Sequence, residues 1–239
     1  MPAIMGKILR SKSLPELLKL MPAYFKVRGF AACFYFSAAP GSRGNAPRAL
    51  MEPVHHGLSR EVVEAYLSAN FQRLDIVPRT AMALGIPVRW TEAWASVDAT
   101  AEERGFLQLM RDLEIGDGFT LPCYGPNGRD GYVGIGRMTE HALTDTDALR
   151  EMHLAAQAAH LRICEFKAGD QADDRPLSGR EREVLDWVAR GKSNSVIADI
   201  LGISVGTVDT YLRRIYDKLD VTDRTSAAVR GIGMGLIAA

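Results

Sequence analysis

The chain has few cysteines, no net charge and no long hydrophobic run. Its three cysteines, Cys33, Cys123 and Cys164, lie far apart and have no CxxC partner. This spacing argues against a disulfide framework and a zinc site, and we expect buried thiols. The apolar run at residues 30–36 is far shorter than the ~20 residues of a membrane span, and residues 1–10 lack the order of a secretory signal. We therefore expect a cytoplasmic protein with no membrane partner and no cofactor.

What the chain does have is the size and composition of a two-domain globular protein. It contains 239 residues, 47% hydrophobic and 24% charged, which is enough to bury a core in each of two domains. Its 29 basic and 29 acidic residues cancel, so any DNA-binding surface must be local. The polar segment 167–176 holds three aspartates, a glycine and a proline. It predicts a linker between a domain at 1–166 and a domain at 177–239.

The first domain shows a mixed helix and strand pattern. Ser13 to Glu16 and Thr100 to Glu103 are capping boxes that open helices, and residues 145–166 have the apolar spacing of a long helix. Strand-like runs occupy residues 29–37, 87–94, 119–124 and 131–137, the last two joined through the turn pair Asn127-Gly128. This order predicts an α+β fold, with an N-terminal α/β/α sandwich around a central antiparallel sheet of the PAS or GAF kind.

The second domain is predicted to be all-α, with four helices. Ser178, Ser193 and Ser204 are predicted to cap the first three helices, and the fourth runs over about 224–237. In the third helix, one apolar stripe faces the core and consists of Val208, Leu212, Ile215 and Leu219. The opposite face carries Thr207, Thr210, Arg213 and Arg214. Such a helix after a short turn is typical of a helix-turn-helix unit, although periodicity alone fits an ordinary helical bundle equally well.

The residues of this domain resemble the LuxR-type helix-turn-helix closely. The resemblance rests on segments 177–185 and 191–194, Ile197-Ala198, Leu201, Ile203-Ser204, Thr207-Val208, Lys218-Leu219 and Arg224. It implies double-stranded DNA as a partner and a fourth helix that contributes to dimerisation. It also implies a DNA-binding set formed by Ser193, Asn194, Ser204, Thr207, Asp209, Thr210, Arg213, Arg214 and Lys218. The serine and asparagine would lie near phosphate, the threonines and arginines in the major groove, and the lysine on the DNA backbone.

Asp209 departs from this family pattern, in which a basic, DNA-contacting residue often follows the Thr-Val pair. An aspartate either accepts from a cytosine amino group or pairs with Arg213 one turn on, and we favour the pair. From Asp174 onward there are ten basic and nine acidic residues. One copy should therefore bind DNA weakly, and we expect a homodimer on a two-part operator.

The first domain resembles the autoinducer-binding domain of quorum-sensing LuxR regulators, which bind N-acyl homoserine lactones. The resemblance rests on Tyr66, Phe71, Asp75 and Trp90, and on segment 118–122 with the glycines around the hairpin. It implies that the aspartate accepts the ligand's amide N–H, that the tyrosine packs on the acyl region and that the tryptophan walls the lactone end. It implies a ligand site formed by Leu58, Val62, Tyr66, Phe71, Asp75, Trp90, Thr120 and Gly134.

Three of these positions depart from the family pattern. Val62 stands where a tryptophan would donate to the lactone carbonyl, Leu58 replaces a tyrosine, and Gly134 replaces a hydroxyl-bearing residue. The missing hydrogen bond is worth about 0.5–1.5 kcal/mol. The ligand is therefore an acyl homoserine lactone or another small amphiphile, or the domain serves dimerisation or protein interaction without a ligand.

Other functions are disfavoured by local context. The segment 202–206 matches the GxSxG nucleophile elbow, but a helix precedes it, and Ser204 is better explained as a helix cap. An enzyme acting on the signal molecule would need a nucleophile, a base and an orienting residue, which form no recognisable motif here. His55-His56 and the pair Asp145 and Asp147 lack further metal ligands at useful spacing. We therefore predict a transcriptional regulator and not an enzyme.

Overall fold

The computed structural model of the chain describes residues 2–37, 53–68, 74–96, 100–113, 115–168 and 177–237. These residues divide into two compact units, one drawn mostly from residues 1–167 and the other mostly from residues 168–239. Within the described ranges, no single helix is both long and apolar enough to cross a membrane. The same ranges hold no group of three or more His, Cys, Asp or Glu side chains that could bind a metal ion.

The first unit is built on a five-stranded antiparallel sheet. Its strands are β1 (Phe30–Ser37), β2 (Val54–His56), β3 (Val88–Arg89), β4 (Gly118–Cys123) and β5 (Gly131–Met138). The strands lie in the order β2-β1-β5-β4-β3. β4 and β5 form a hairpin, and Gly128 in its turn takes a positive φ of 68°. The predicted antiparallel sheet and the hairpin at Asn127-Gly128 are both confirmed.

Helices cover both faces of this sheet. They are α1 (Pro2–Leu9), α2 (Leu14–Lys26), α3 (Arg60–Ser68), α4 (Ile76–Leu84), α5 (Trp90–Ser96), α6 (Ala101–Asp112) and α7 (Thr146–Ala168). On one face, Leu121 and Ile135 pack with residues of α1, α2 and α7 in the main core. Each of these two side chains is fully buried, which contributes about 1.5–3 kcal/mol. Helices α3 to α6 supply the side chains opposite the other face, so the predicted α/β/α sandwich is confirmed.

The prediction of a strand over residues 87–94 is wrong for most of its length. Only Val88 and Arg89 pair with β4, and helix α5 begins at Trp90. Asp117 stabilises this start, because its carboxylate accepts from the backbone N–H of Thr91 at 3.3 Å and from the Thr91 hydroxyl at 3.0 Å. The alternation of residues along the chain could not reveal this contact, because Asp117 lies 26 residues from Thr91.

Of the two capping boxes predicted in the first unit, one forms completely. At Thr100, the hydroxyl accepts from the Glu103 N–H at 3.2 Å, and the Glu103 carboxylate accepts from the Thr100 N–H at 2.8 Å. Ser13 also caps its helix, but the Glu16 carboxylate accepts from the N–H of Lys12 rather than from that of Ser13. Both helices start where the sequence predicts.

The second unit consists of four helices in its described part. They are α8 (Gly179–Ala189), α9 (Asn194–Leu201), α10 (Val205–Leu219) and α11 (Arg224–Gly233). Ser178, Ser193 and Ser204 cap the first three, as predicted. Helix α11 is shorter than predicted and ends at Gly233.

The packing of this unit follows the predicted apolar stripe of α10. Val208, Leu212, Ile215 and Leu219 are all buried in the core of the unit. The chain bends by 108° between α9 and α10. Two short helices at this angle, joined by a three-residue turn, form the helix-turn-helix arrangement and leave the polar side of α10 exposed.

Candidate functional site

The first unit encloses a cavity between the sheet and helices α3 to α6. Its floor consists of side chains on one face of the sheet, where the register pairs Gly134 of β5 with Phe34 of β1 and with Thr120 of β4. Directly opposed residues of antiparallel strands share a face, so these three positions form a continuous row. Tyr132 lies two residues before Gly134 and completes the floor.

The walls of the cavity are largely apolar helix side chains. The residues that line it opposite the floor are Leu58, Val62, Val63, Tyr66, Asp75, Val77, Trp90, Trp94, Phe106, Met110 and Ile115. The cavity has a volume of about 80 Å³. This is room for several water molecules at roughly 10–15 Å³ each, so the surrounding side chains do not fill the cavity.

The carboxylate of Asp75 lies at the start of helix α4, on the cavity wall. Asp75 caps this helix, and its Oδ1 accepts from the N–H of Val77 at 3.0 Å. Its Oδ2 accepts from the hydroxyl of Tyr66 at 2.9 Å, and the Tyr66 hydroxyl lies 2.9 Å from that of Tyr132. Two tyrosines and one carboxylate therefore form a connected polar cluster in a largely apolar cavity.

Burial raises the pKa of each titratable group in this cluster. The pKa of Asp75 rises to about 6, because burial outweighs the hydrogen bonds from Tyr66 and Val77, which lower this pKa. Burial also raises the pKa of both Tyr66 and Tyr132, with the charge of Asp75 adding to the effect, so both stay neutral. When Asp75 is ionised, Tyr66 must donate to it, and Tyr132 must donate to Tyr66. The cluster then offers only acceptors to a bound molecule.

A second polar contact lies across the cavity floor. The indole N–H of Trp90 donates to the hydroxyl of Thr120 at 3.0 Å, which leaves the Thr120 proton free for another acceptor. The Trp90 ring lies against β5, where a Cβ at Gly136 would come within 2.5 Å of the indole. Glycine at position 136 makes room for the ring, so β5 packs closely against Trp90 here.

Seven of the eight residues predicted for the ligand site line this one cavity. They are Leu58, Val62, Tyr66, Asp75, Trp90, Thr120 and Gly134. Phe71 lies outside the described residues. Val62 is 8% exposed, and its side chain offers no hydrogen-bond donor. The difference from the family pattern at this position, a valine in place of a tryptophan, therefore lies on the cavity wall itself.

Sequence reasoning missed the other lining residues, which come from segments far apart in the chain. Tyr132 could have been found, because alternation along β5 places it on the same face as Gly134. Trp94 follows Trp90 by four residues and lies on the same side of α5. It was missed because this segment was predicted to be a strand.

In the second unit, the candidate site is the exposed side of α10. Thr210, Arg213 and Arg214 are exposed there, and Thr207 is half-buried near the start of the helix. The Thr210 hydroxyl bonds back to the Gly206 carbonyl at 2.9 Å. Val205, which the sequence reasoning did not single out, is 46% exposed at the first turn. The resulting surface combines two guanidinium groups with small polar and apolar side chains.

Asp209 takes a partner other than the Arg213 that we expected. Its Oδ1 accepts from the Asn194 amide N–H at 2.6 Å, and the Asn194 carbonyl oxygen accepts from Arg224 at 2.7 Å. Arg224 also donates to the backbone carbonyl of Lys192. Asn194 thus links helices α9, α10 and α11. The preference for an Asp209–Arg213 pair was wrong because a tertiary partner was available.

Lys218, predicted to bind the DNA backbone, is held by an acidic partner. Its ammonium lies 2.7 Å from Oε2 of Glu181, whose side chain is only 3% exposed. The same carboxylate accepts from the Ser178 N–H at 2.7 Å and so completes a capping box. Burial alone would raise the pKa of Glu181, but the bonds from Lys218 and Ser178 outweigh it, and the pKa is lowered. This pair ties the end of α10 to the start of α8.

Ser204 of the GxSxG segment has the geometry of a helix cap. Its hydroxyl oxygen accepts from the Thr207 N–H at 3.1 Å and lies 2.8 Å from the Thr207 hydroxyl. Helix α9 precedes it, whereas a nucleophile elbow requires a strand. The prediction that Ser204 caps helix α10 is confirmed.

A largely apolar cavity in one unit and a helix-turn-helix in the other are typical of one class of protein, the DNA-binding regulators that carry a small-molecule sensor. Comparison with known families gives the same division. Residues 175–230 match the family described as bacterial regulatory proteins, luxR family, and residues 13–163 match the autoinducer binding domain. The chain therefore belongs to the LuxR-type quorum-sensing transcriptional regulators.

Individual relatives agree with this assignment. The chain is 26% identical to the quorum sensing-dependent regulator RpaR of Rhodopseudomonas palustris, over 93% of this chain and 89% of RpaR. It is 31% identical to an HTH-type transcriptional regulator of Sinorhizobium fredii over 68% of this chain, and it spans only about half of that protein (49%).

A solved structure is similar to the chain in fold. Escherichia coli SdiA superposes with a TM-score of 0.79 at 18% identity, covering 100% of this chain and 98% of SdiA. At this identity the likeness concerns the fold alone.

Proposed function

We propose that the chain is a cytoplasmic, homodimeric transcriptional regulator that binds an N-acyl homoserine lactone or a closely related acyl amide in the cavity of its first unit. The observation that carries this proposal is the cavity itself, which is largely apolar and whose described lining includes one carboxylate, that of Asp75. An acyl amide is matched to it, because its amide N–H is a donor and its acyl chain is apolar.

Asp75 is the anchor in this arrangement. Its carboxylate accepts the amide N–H of the ligand in addition to the bond from Tyr66. The apolar walls formed by Val62, Val63 and Phe106 enclose the acyl chain. The Thr120 hydroxyl, whose proton is not used by Trp90, donates to a ligand oxygen.

The exposed side of α10 is the proposed DNA-reading surface. Arg213 and Arg214 supply the charge, and Thr207 and Thr210 lie where the helix first meets the major groove. Ser193 and Ser204 open helices α9 and α10, whose N-terminal N–H groups favour phosphate. We assign Asn194, Asp209 and Lys218 chiefly to holding the helices together, since each is bonded to another helix.

Residues 1–166 form the proposed sensor, 167–176 the linker and 177–239 the DNA-binding domain. Ligand binding stabilises the sensor by RT ln(1 + [L]/Kd) and changes the population of the DNA-competent dimer on a two-part operator. No catalytic role is proposed, because family members are transcriptional regulators and Ser204 is a helix cap.

Thermal melting of the purified chain tests this proposal. A panel of acyl homoserine lactones from butanoyl to tetradecanoyl is added in excess, and the melting temperature is compared with that of the chain alone. At about 100-fold excess over Kd, the stabilisation is about 2.7 kcal/mol, which raises the melting temperature of a unit of this size by roughly 5–10 °C. If no member of the panel shifts the melt, and mass spectrometry finds no small molecule in the purified protein, the chain acts without such a ligand.

A further inference from the structure

Thr210 lies at the centre of the exposed side of α10. At about 100° per residue, its position is almost opposite the middle of the buried apolar stripe of this helix. Its hydroxyl donates to the backbone carbonyl of Gly206 at 2.9 Å. A hydroxyl has one proton, so this bond uses it inside the helix. The part of the Thr210 side chain that is left without a hydrogen bond is its methyl group.

Gly206 lies one turn before Thr210 on the same exposed side of the helix and has no side chain. A Cβ built at this position would have one side-chain neighbour within 4 Å among the described residues, the Ser204 hydroxyl oxygen at 3.9 Å. The surface next to Thr210 is therefore open, and glycine permits another molecule to approach the backbone closely. A flat group can reach the Thr210 methyl across Gly206 without displacing a side chain.

Asp209, the charged residue in the first two turns of α10, is bonded to a partner within its own unit. Its Oδ1 accepts from the Asn194 amide at 2.6 Å, and Asn194 in turn accepts from Arg224. The exposed cations Arg213 and Arg214 come about one turn after Thr210. At the end of α10 that enters a groove first, the helix therefore presents a methyl group rather than a positive charge.

The edges of the bases in the major groove decide which partner a methyl group fits. Thymine is the base that presents a methyl group there, whereas the other bases present hydrogen-bond donors and acceptors. Contact between two methyl groups removes apolar surface from water on both sides. Contact between a methyl group and a polar base edge would instead take that edge out of water without a partner. The exposed methyl of Thr210 is thus matched to thymine.

We infer that Thr210 reads thymine, its methyl group packing against the C5 methyl of one thymine in each half of the operator. This inference rests on the proposed function, because it names the base that the same DNA-reading surface recognises. Thr210 is then a specificity residue, while the charges of Arg213 and Arg214 contribute affinity.

Replacement of thymine by deoxyuridine tests the inference, because it removes the C5 methyl and keeps every hydrogen-bonding group of the base. The full chain selects a duplex from a random-sequence pool, and each thymine is replaced in both half-sites together. Binding is titrated by fluorescence anisotropy at fixed salt, in the ligand state that gives the tighter binding. One such replacement should weaken wild-type binding about four- to fifteenfold, since each methyl contact contributes about two- to fourfold.

Two substitutions of Thr210 separate the methyl group from the hydroxyl. Thr210→Ser keeps the hydroxyl and loses the methyl, so it should bind the thymine and deoxyuridine duplexes with equal affinity. Thr210→Val keeps the methyl and loses the hydroxyl, so the preference for thymine should survive. Both variants should melt within a few degrees of wild type, because an exposed substitution of similar size changes stability little.

Three results would overturn the inference even though the protein binds DNA. The first is a wild-type affinity that no deoxyuridine replacement lowers. The second is a thymine preference that persists in Thr210→Ser. The third is a preference that Thr210→Val abolishes, because the hydroxyl would then be the group that reads the base. If the protein selects no duplex at all, the proposed DNA-binding function fails first and the inference falls with it.

Discussion

The two candidate sites place their polar groups in opposite environments. In the cavity, Asp75, Tyr66 and Tyr132 are bonded to one another inside an apolar enclosure. On α10, Arg213 and Arg214 are exposed to solvent. Hydrogen bonds that are removed from water are individually stronger, and salt screens them little. Exposed charges act on DNA together, and salt screens them strongly. Ligand binding should therefore depend on single bonds, and DNA binding on ionic strength.

The largest expected effect is that of removing the carboxylate on the cavity wall. Asp75→Ala should weaken ligand binding about 100-fold, because it removes the acceptor of a charge-assisted bond to the ligand and breaks the bond from the Tyr66 hydroxyl. The measurement is the ligand-induced melting shift, with DNA binding at fixed salt as the control. A variant that keeps the full shift would remove Asp75 from the site.

A smaller effect is expected on the exposed side of α10. Arg213→Ala should weaken DNA binding about tenfold and leave the ligand-induced melting shift intact, because one guanidinium contact is lost. Fluorescence anisotropy across a salt series checks this. If Arg213→Ala changes the ligand-induced melting shift and not the DNA affinity, the assignment of separate roles to the two sites is wrong.

Lys218→Ala is the matched control for this surface. It removes the same charge, but from a side chain that is paired with Glu181. We expect a lower melting temperature of the second unit, since a buried carboxylate loses its partner, and a smaller loss of DNA affinity than with Arg213→Ala. A loss as large as that of Arg213→Ala would return Lys218 to the DNA-binding surface.

The pH dependence of ligand binding sharpens the same comparison. The pKa of Asp75 is raised from 3.8 to about 6 in the fold. Because the pKa is higher in the fold than in the unfolded chain, protonation of Asp75 stabilises the fold. This contribution to the free energy of unfolding is fully present below about pH 4 and is lost as the pH rises through about 6. A ligand N–H favours the ionised form, so the ligand affinity rises as Asp75 loses its proton, and the melting shift at fixed excess of ligand should grow about twofold from about pH 5 to about pH 7.5. Asp75→Asn should remove this dependence, and a flat wild-type profile would contradict the assignment.

The smallest expected effect comes from the cavity floor. A Cβ at Gly134 would meet Trp90 at 3.6 Å, an ordinary contact, so Gly134→Ser should fold and restore a hydroxyl to this row. We expect a change in ligand affinity of about threefold in either direction, depending on whether the ligand carries an oxygen nearby. Titration with 3-oxo and unsubstituted acyl homoserine lactones measures it, and Gly134→Ala separates the hydroxyl from the added volume.

The second unit was the easier one to predict, because its signals are local. Ser178, Ser193 and Ser204 each cap a helix within three residues along the chain, and the apolar stripe of α10 fixes its buried side. The prediction that was wrong in this unit concerns a contact between two helices. Local spacing pairs Asp209 with Arg213, but Asn194, which is 15 residues away, is the partner in the fold.

In the cavity, the sequence predicted mainly the lining residues that belong to the family's motifs. Asp75, Tyr66 and Trp90 lie in one continuous stretch of the chain and were found together. Phe34 reaches the cavity through its register with Gly134, which is a hundred residues away, and no local pattern reveals that pairing. Trp94 was lost through the wrong strand prediction over residues 87–94.

The most direct test of a sensor that is coupled to a DNA-binding unit is the affinity of the full chain for a duplex that the protein itself selects from a random-sequence pool. Titrations by fluorescence anisotropy at fixed salt, with and without the best-binding acyl homoserine lactone, should give different Kd values for wild-type protein and equal values for Asp75→Ala. A wild-type Kd that the bound lactone leaves unchanged would contradict the coupling.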